Sequence, residues 1–110
     1  MKKNLLAETE AILKEHGYSW RAVKFVANAE GVIEIASFVA AAKEYYYEND
    51  DQVVNVDPTL VIVGGTWWIS RISGIQGERW LFHKKPQKPT LPAIDFSLST
   101  HRGQNKINTI

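Results

Sequence analysis

Hydrolytic or metal chemistry requires particular residue types at fixed spacings, and in this chain such residues are scattered. The three histidines, His16, His83 and His101, lie far apart and share no ligand spacing. Cysteine is absent, which excludes disulfides, thiolate catalysis and Cys-based zinc sites. No serine sits in a Gly-x-Ser-x-Gly turn, the strained elbow that exposes a nucleophile. Adjacent Asp50 and Asp51 suggest calcium, yet no glycine or closing glutamate follows them at the calcium-loop spacing, so a solvated loop is the better reading. Gly74-Ile75-Gln76-Gly77 has the letters of a KH-type GxxG loop. That loop clamps nucleotides between helices, whereas strand-forming residues flank this one. Gly64-Gly65 lacks the lysine and following helix of a phosphate loop. No catalytic set emerges, so the expectation is a non-enzymatic protein that needs neither cofactor nor metal.

The aromatic residues of the second half are more informative. Trp67, Ile69 and Arg71 fall on one face of a strand, and Trp68, Ser70 and Ile72 on the other, because side chains alternate along an extended chain. If one face is core, one indole of the Trp67/Trp68 pair must lie on the outer face. Arg79, Trp80, Phe82 and Lys84 add cations and rings nearby. Rings beside cations can anchor a protein partner, or stack the bases of single-stranded nucleic acid. The expected binding set is therefore Trp67, Trp68, Arg71, Arg79, Trp80 and Lys84. A nucleic-acid reading lacks an RRM-type aromatic signature and a strong positive charge.

These side chains need a scaffold, and the stretch from Leu60 to His83 supplies its centre. Apolar runs Leu60–Val63 and Thr66–Ile72 flank Gly64-Gly65, and Arg79–His83 follows the glycine-bearing segment Ser73–Gly77. β-Branched and aromatic residues interrupted by glycines predict a three-stranded antiparallel meander. Upstream, Asn4 is a candidate cap for a helix running to His16 and ended by Gly17. Leu5, Leu6, Thr9, Ile12, Leu13 and His16 form its apolar side, with Glu8, Glu10, Lys14 and Glu15 largely opposite. Val23–Asn28 and Val32–Ile35 predict a hairpin around Ala29-Glu30-Gly31, with Val23, Phe25 and Ala27 sharing a face. This hairpin would be marginal alone and is expected to join the meander or pack on a helix. Ala36 to about Tyr47 changes to a helical period, with Ile35, Phe38, Val39, Ala42, Tyr45 and Tyr46 on its stripe. Tyr45, Tyr46 and Tyr47 cannot all point one way on a helix.

The predicted fold class is therefore α+β: an N-terminal helix, a β-hairpin, a central helix and a three-stranded antiparallel β-meander, in one domain over residues 1–86. Prolines 86, 89 and 92 then stop the sheet, and residues 87–110 are expected to be a flexible tail in which Phe96–Ser99 could add an edge strand. No signal peptide or membrane-spanning run is visible, so a cytoplasmic address is expected. The formal net charge of +1 conceals an asymmetry. Residues 1–57 hold six Lys/Arg against ten Asp/Glu, and residues 58–110 hold seven against two. Such segregation can orient an encounter, or can simply be offset within the fold.

The block Leu60-Val61-Ile62-Val63-Gly64, then Trp67-Trp68 and Arg71, then Gly77-Glu78-x-Trp80 and Pro86, resembles a group of small phage and prophage proteins of mostly unassigned function. The likeness covers roughly residues 18–86 and names no catalytic residue. It implies a phage or prophage context. The missing catalytic set, the surplus aromatics and the charge asymmetry point to an accessory protein that binds a macromolecular partner, and inhibition of a host or defence protein would fit such a role. A protein partner is the leading expectation, single-stranded nucleic acid the alternative. The sequence leaves the oligomeric state open.

Overall fold

A computed structural model describes residues 2–48, 54–75 and 77–86. Strand β1 (Lys2–Asn4) leads directly into helix α1 (Leu5–Glu15). The Asn4 Oδ1 accepts a hydrogen bond from the Ala7 N–H at 2.9 Å, and Gly17, at φ 83°, turns the chain away after the last turn. A 3-10 turn (Trp20–Ala22) follows, then β2 (Val23–Asn28) and β3 (Gly31–Ile33). Helix α2 (Ile35–Lys43), strand β4 (Tyr46–Glu48) and the meander β5 (Val61–Gly64), β6 (Trp67–Gly74) and β7 (Gly77–Lys84) complete the described fold. The class is α+β, with elements in roughly the expected order. Residues 87–110, including Phe96–Ser99 and the proposed tail, lie outside the described residues, as do Asp50 and Asp51.

The principal sheet is antiparallel throughout, in the order β3-β2-β5-β6-β7. The early hairpin thus joins the meander, through pairing of Val26 with Ile62. Both helices contribute to a single core on one face of this sheet. Leu5 and Leu13 of α1, and Phe38 and Ala42 of α2, are buried with Val26, Leu60, Ile62, Trp67, Ile69 and Trp80. Among the described residues no helix is long and apolar enough to cross a membrane.

Three expectations are corrected. Helix α2 ends at Lys43 rather than near Tyr47, because Glu44 and Tyr45 donate back to the carbonyls of Ala41 and Ala42 and close the last turn. The following tyrosines extend instead, and β4 pairs with β1 as a separate two-stranded sheet, Lys3 opposite Tyr47. The return strand β3 stops at Ile33, since Glu34 already occupies the cap position of α2. In β2 the register shifts between Val23 and Phe25, a bulge that sends both Val23 and Val26 inward. Phe25 and Ala27 therefore face away from the core, and do not share a face with Val23.

Gly64 has a specific packing role. A Cβ at this position would lie 2.1 Å from Cε2 of Trp67, so the indole rests directly on the glycine backbone. Glycine here admits the ring that closes one end of the core.

Candidate functional site

Strand alternation divides the sheet into two chemically distinct faces. On the helix-covered face, Arg71 is opposite Trp80 in the ladder and Ile69 is opposite Phe82. The Arg71 side chain is only 3% exposed and sits between carboxylates. Its Nη1 lies 3.1 Å from the Glu8 Oε2, and its Nη2 lies 3.6 Å from the Glu78 Oε1. The Arg71 Nη2 also donates to the Tyr47 hydroxyl at 3.2 Å, while that hydroxyl donates to Glu8 Oε1 at 2.5 Å. The guanidinium is stacked 4.8 Å from the Trp80 ring centre, a cation–π geometry. The Trp80 indole N–H donates to Thr9 Oγ1 at 3.0 Å. These contacts join α1, β4, β6 and β7.

The electrostatics of this cluster follow from its partners. Burial, reinforced by the hydrogen bond to Glu8, pushes the Tyr47 phenol up to about 12. Burial alone would raise Glu78 as well. Hydrogen bonds from the Asn55 and Val56 backbone N–H groups and the Asn55 amide, together with the Arg71 charge, outweigh it and hold the carboxyl below its ordinary value. Asn55 N and Val56 N lie 2.5 and 2.9 Å from the Glu78 oxygens, so this side chain anchors the loop that leads into β5. A phenol between a carboxylate and a guanidinium could in principle move a proton. Here Tyr47 is 4% exposed and Arg71 is enclosed, so the cluster ties elements together rather than offering a surface to a substrate.

Among the described residues no helix lies over the opposite face. Its rows follow from the ladder registers. Phe25, Val63, Trp68 and His83 align across four strands. Val32, Ala27, Val61, Ser70 and Leu81 form a second row across all five. Ile72 and Arg79 pair in a third. Val32 is 76% exposed, Phe25 and Leu81 are also exposed, and Trp68 is half-buried because its ring stacks on His83 at 4.8 Å. Its described strand residues include no carboxylate, and their fixed charges are Arg79 on β7 and Lys24, exposed beside Phe25 in the β2 bulge.

The Ser70 hydroxyl lies 2.8 Å from Nε2 of His83, half of a hydrolytic relay. Strand β6 pairs on both sides, with β5 and β7, so its backbone N–H groups near Ser70 serve the ladder. They are not arranged to stabilise an oxyanion. Among the described residues no His, Asp or Glu cluster is built to hold a metal.

The expected binding set therefore separates by side. Trp67, Arg71 and Trp80 belong to the covered face, because their parity is that of Ile69 and Glu78. Trp68 and Arg79 belong to the open face, and Lys84 is exposed at the end of β7, opposite Trp67. Phe25, Val32, Val61, Val63, Leu81 and His83 complete the open face, although the sequence reading had not selected them. The signal available was the outward parity of the meander residues; for Phe25 the bulge concealed it. Glu8, Tyr47 and Glu78 were likewise not selected, although an acidic residue at the inward parity of Trp80 marks Glu78. No protein-family model matches this chain, and no curated protein or solved structure matches it.

Proposed function

We propose that this protein is a non-enzymatic binding module that recognises another protein through the open face of its five-stranded sheet. The observation that carries this reading is the composition of the outward positions. An antiparallel sheet with one solvated face ordinarily alternates apolar-in with polar-out. Here the outward positions are Phe25, Ala27, Val32, Val61, Val63, Trp68, Ile72 and Leu81, interrupted by Ser70, Arg79 and His83. A flat apolar field with an aromatic and an arginine fits an interface of the Trp/Arg type. An accessory role in a phage or prophage, such as inhibition of a host or defence protein, is supported by the sequence resemblance alone.

The Trp68–His83 stack, with Arg79 two rows away on the same face, favours a second reading, a platform for single-stranded nucleic acid. Most of the face is aliphatic, and valine, leucine and isoleucine offer no ring for a base to stack on. Protein recognition is therefore the better reading. Capture of partners from host lysate, with and without nuclease, tests the two together. Trp68→Ala should abolish nuclease-resistant capture while leaving the urea midpoint nearly unchanged. Nucleic-acid binding would instead appear as oligonucleotide affinity whose salt slope flattens in Arg79→Ala. Full capture by both variants at native stability would remove this face from consideration.

A further inference from the structure

The two edges of the open face carry opposite charge. On the β3 edge, Glu30 sits in the β2–β3 turn and Glu34 immediately follows the strand, and both are exposed. On the β7 edge stands Arg79, also exposed. Strand β5 lies in the middle, with two strands on either side. A two-fold axis along β5 would therefore exchange β6 with β2 and β7 with β3.

The residue rows can be checked against that operation. The first row brings Trp68 over Phe25 of the other copy, with Val63 meeting Val63. In the second row Leu81 meets Val32, Ser70 meets Ala27, and Val61 meets Val61. In the third, Ala29 and Thr59 are level, joined by a hydrogen bond from Ala29 N to Thr59 Oγ1 at 2.9 Å, which sets the β2–β3 turn opposite Arg79. Arg79 thus falls over the Glu30 turn. A two-fold axis running across the strands would instead stack β7 on β7, whose outward residues Arg79, Leu81 and His83 offer the arginine no carboxylate. The charges select the first arrangement.

We infer that the open sheet face pairs with a second copy of this chain, forming a two-sheet sandwich in which Trp68 packs on Phe25 and Arg79 meets Glu30 across the two-fold axis. This inference rests on the reading of the face as a protein interface and names its partner. Packed sheets cross at about 30°, which slides edge residues by roughly 5 Å, within reach of arginine and glutamate side chains. Five strands about 4.8 Å apart and about five residues at 3.3 Å each give a projected face of roughly 400 Å² per copy. A pair would then bury on the order of 800 Å² in projection, below the range of stable interfaces and in that of weak, transient ones, so the dimer forms and dissociates with concentration.

Sedimentation equilibrium of the full chain, from micromolar to millimolar, tests the inference. The wild type should shift from monomer to dimer. Arg79→Glu and Glu30→Arg should each weaken the dimer by about tenfold, and the double charge swap should restore it. Far-ultraviolet circular dichroism verifies that each variant is folded, and Val32→Asp supplies an independent disruption in the apolar row at the β3 edge. A wild type that stays monomeric throughout, or a double swap no better than its single parents, overturns the inference. A monomeric chain whose lysate partner is lost with Trp68→Ala would refute self-pairing while leaving the face as an interface. A monomeric chain indifferent to Trp68→Ala would refute both.

Discussion

Replacing Glu78 probes the most densely bonded carboxylate in the described structure. Its oxygens accept from Asn55 N, Asn55 Nδ2 and Val56 N, and lie 3.6 Å from Arg71 Nη2. Glu78→Ala strands the buried Val56 N–H, a loss of about 1–3 kcal/mol, and removes charged hydrogen bonds of about 1.5–3 kcal/mol each. Arg71 keeps Glu8, so the full 3–5 kcal/mol expected for breaking a buried ion pair does not apply. The Asn55 donors are only part-buried and regain water, so the expected net destabilisation is about 3–4 kcal/mol, a large share of a domain stability of about 5–15 kcal/mol. Glu78→Gln retains one carbonyl acceptor and should cost about 1–2 kcal/mol. Urea unfolding at constant m measures both. The carboxyl is held below its ordinary value of 4.5, so its contribution is present above pH 4.5 and is lost as pH falls through the lower folded value. The Gln variant, which cannot titrate there, should show a correspondingly shallower acid limb. A loss below about 1 kcal/mol in Glu78→Ala, or an unchanged acid limb in Glu78→Gln, would refute the anchoring role.

Two further outcomes test the covered face. Gly64→Ala should cost about 1–3 kcal/mol by displacing the Trp67 indole. Gly65→Ala is the control, since a Cβ there meets nothing closer than the Lys24 Cε at 3.9 Å, and equal effects of the two would contradict the packing. Alkaline titration followed by tyrosinate absorbance should show one ring ionising only towards pH 12. With the folded value of Tyr47 raised from 10.0 to about 12, its contribution is complete below pH 10 and is lost as pH rises through 12. An alkaline limb unchanged in Tyr47→Phe would assign that ionisation elsewhere.

The meander was legible because β-branched and aromatic runs separated by glycines leave few alternatives, and the opposition of Trp67 and Trp68 followed from alternation alone. The β2 bulge was not legible. Val23-Lys24-Phe25-Val26-Ala27-Asn28 reads plausibly in either parity, and one extra residue inverts the half that follows. Strands β1 and β4 have three residues each, too few to display a period, and their pairing spans most of the first half of the chain. Strand parity marks Glu78 and Arg71 as inward, but the groups that make enclosed charges tolerable, the loop donors and Glu8, come together only in space.

The distribution of polarity across the sheet links these points. On the covered face, where apolar side chains alone would suffice, Glu8, Arg71 and Glu78 occupy enclosed positions and tie α1, β6 and the loop before β5 into one register. On the open face, where water would favour polar side chains, valines, Leu81, Ile72, Phe25 and Trp68 recur in consecutive rows. Among the described residues both helices pack on the other side and none covers this second set. Exposed apolar rows raise the free energy of the isolated chain in water, by roughly 25 cal/mol for each Å² left uncovered. Covering them with a matching surface recovers that term. The edges of the face carry the charges that would orient such a surface, which makes Arg79 and Glu30 the discriminating pair: their substitution should alter association while the buried Glu8–Arg71–Glu78 cluster keeps the fold unchanged.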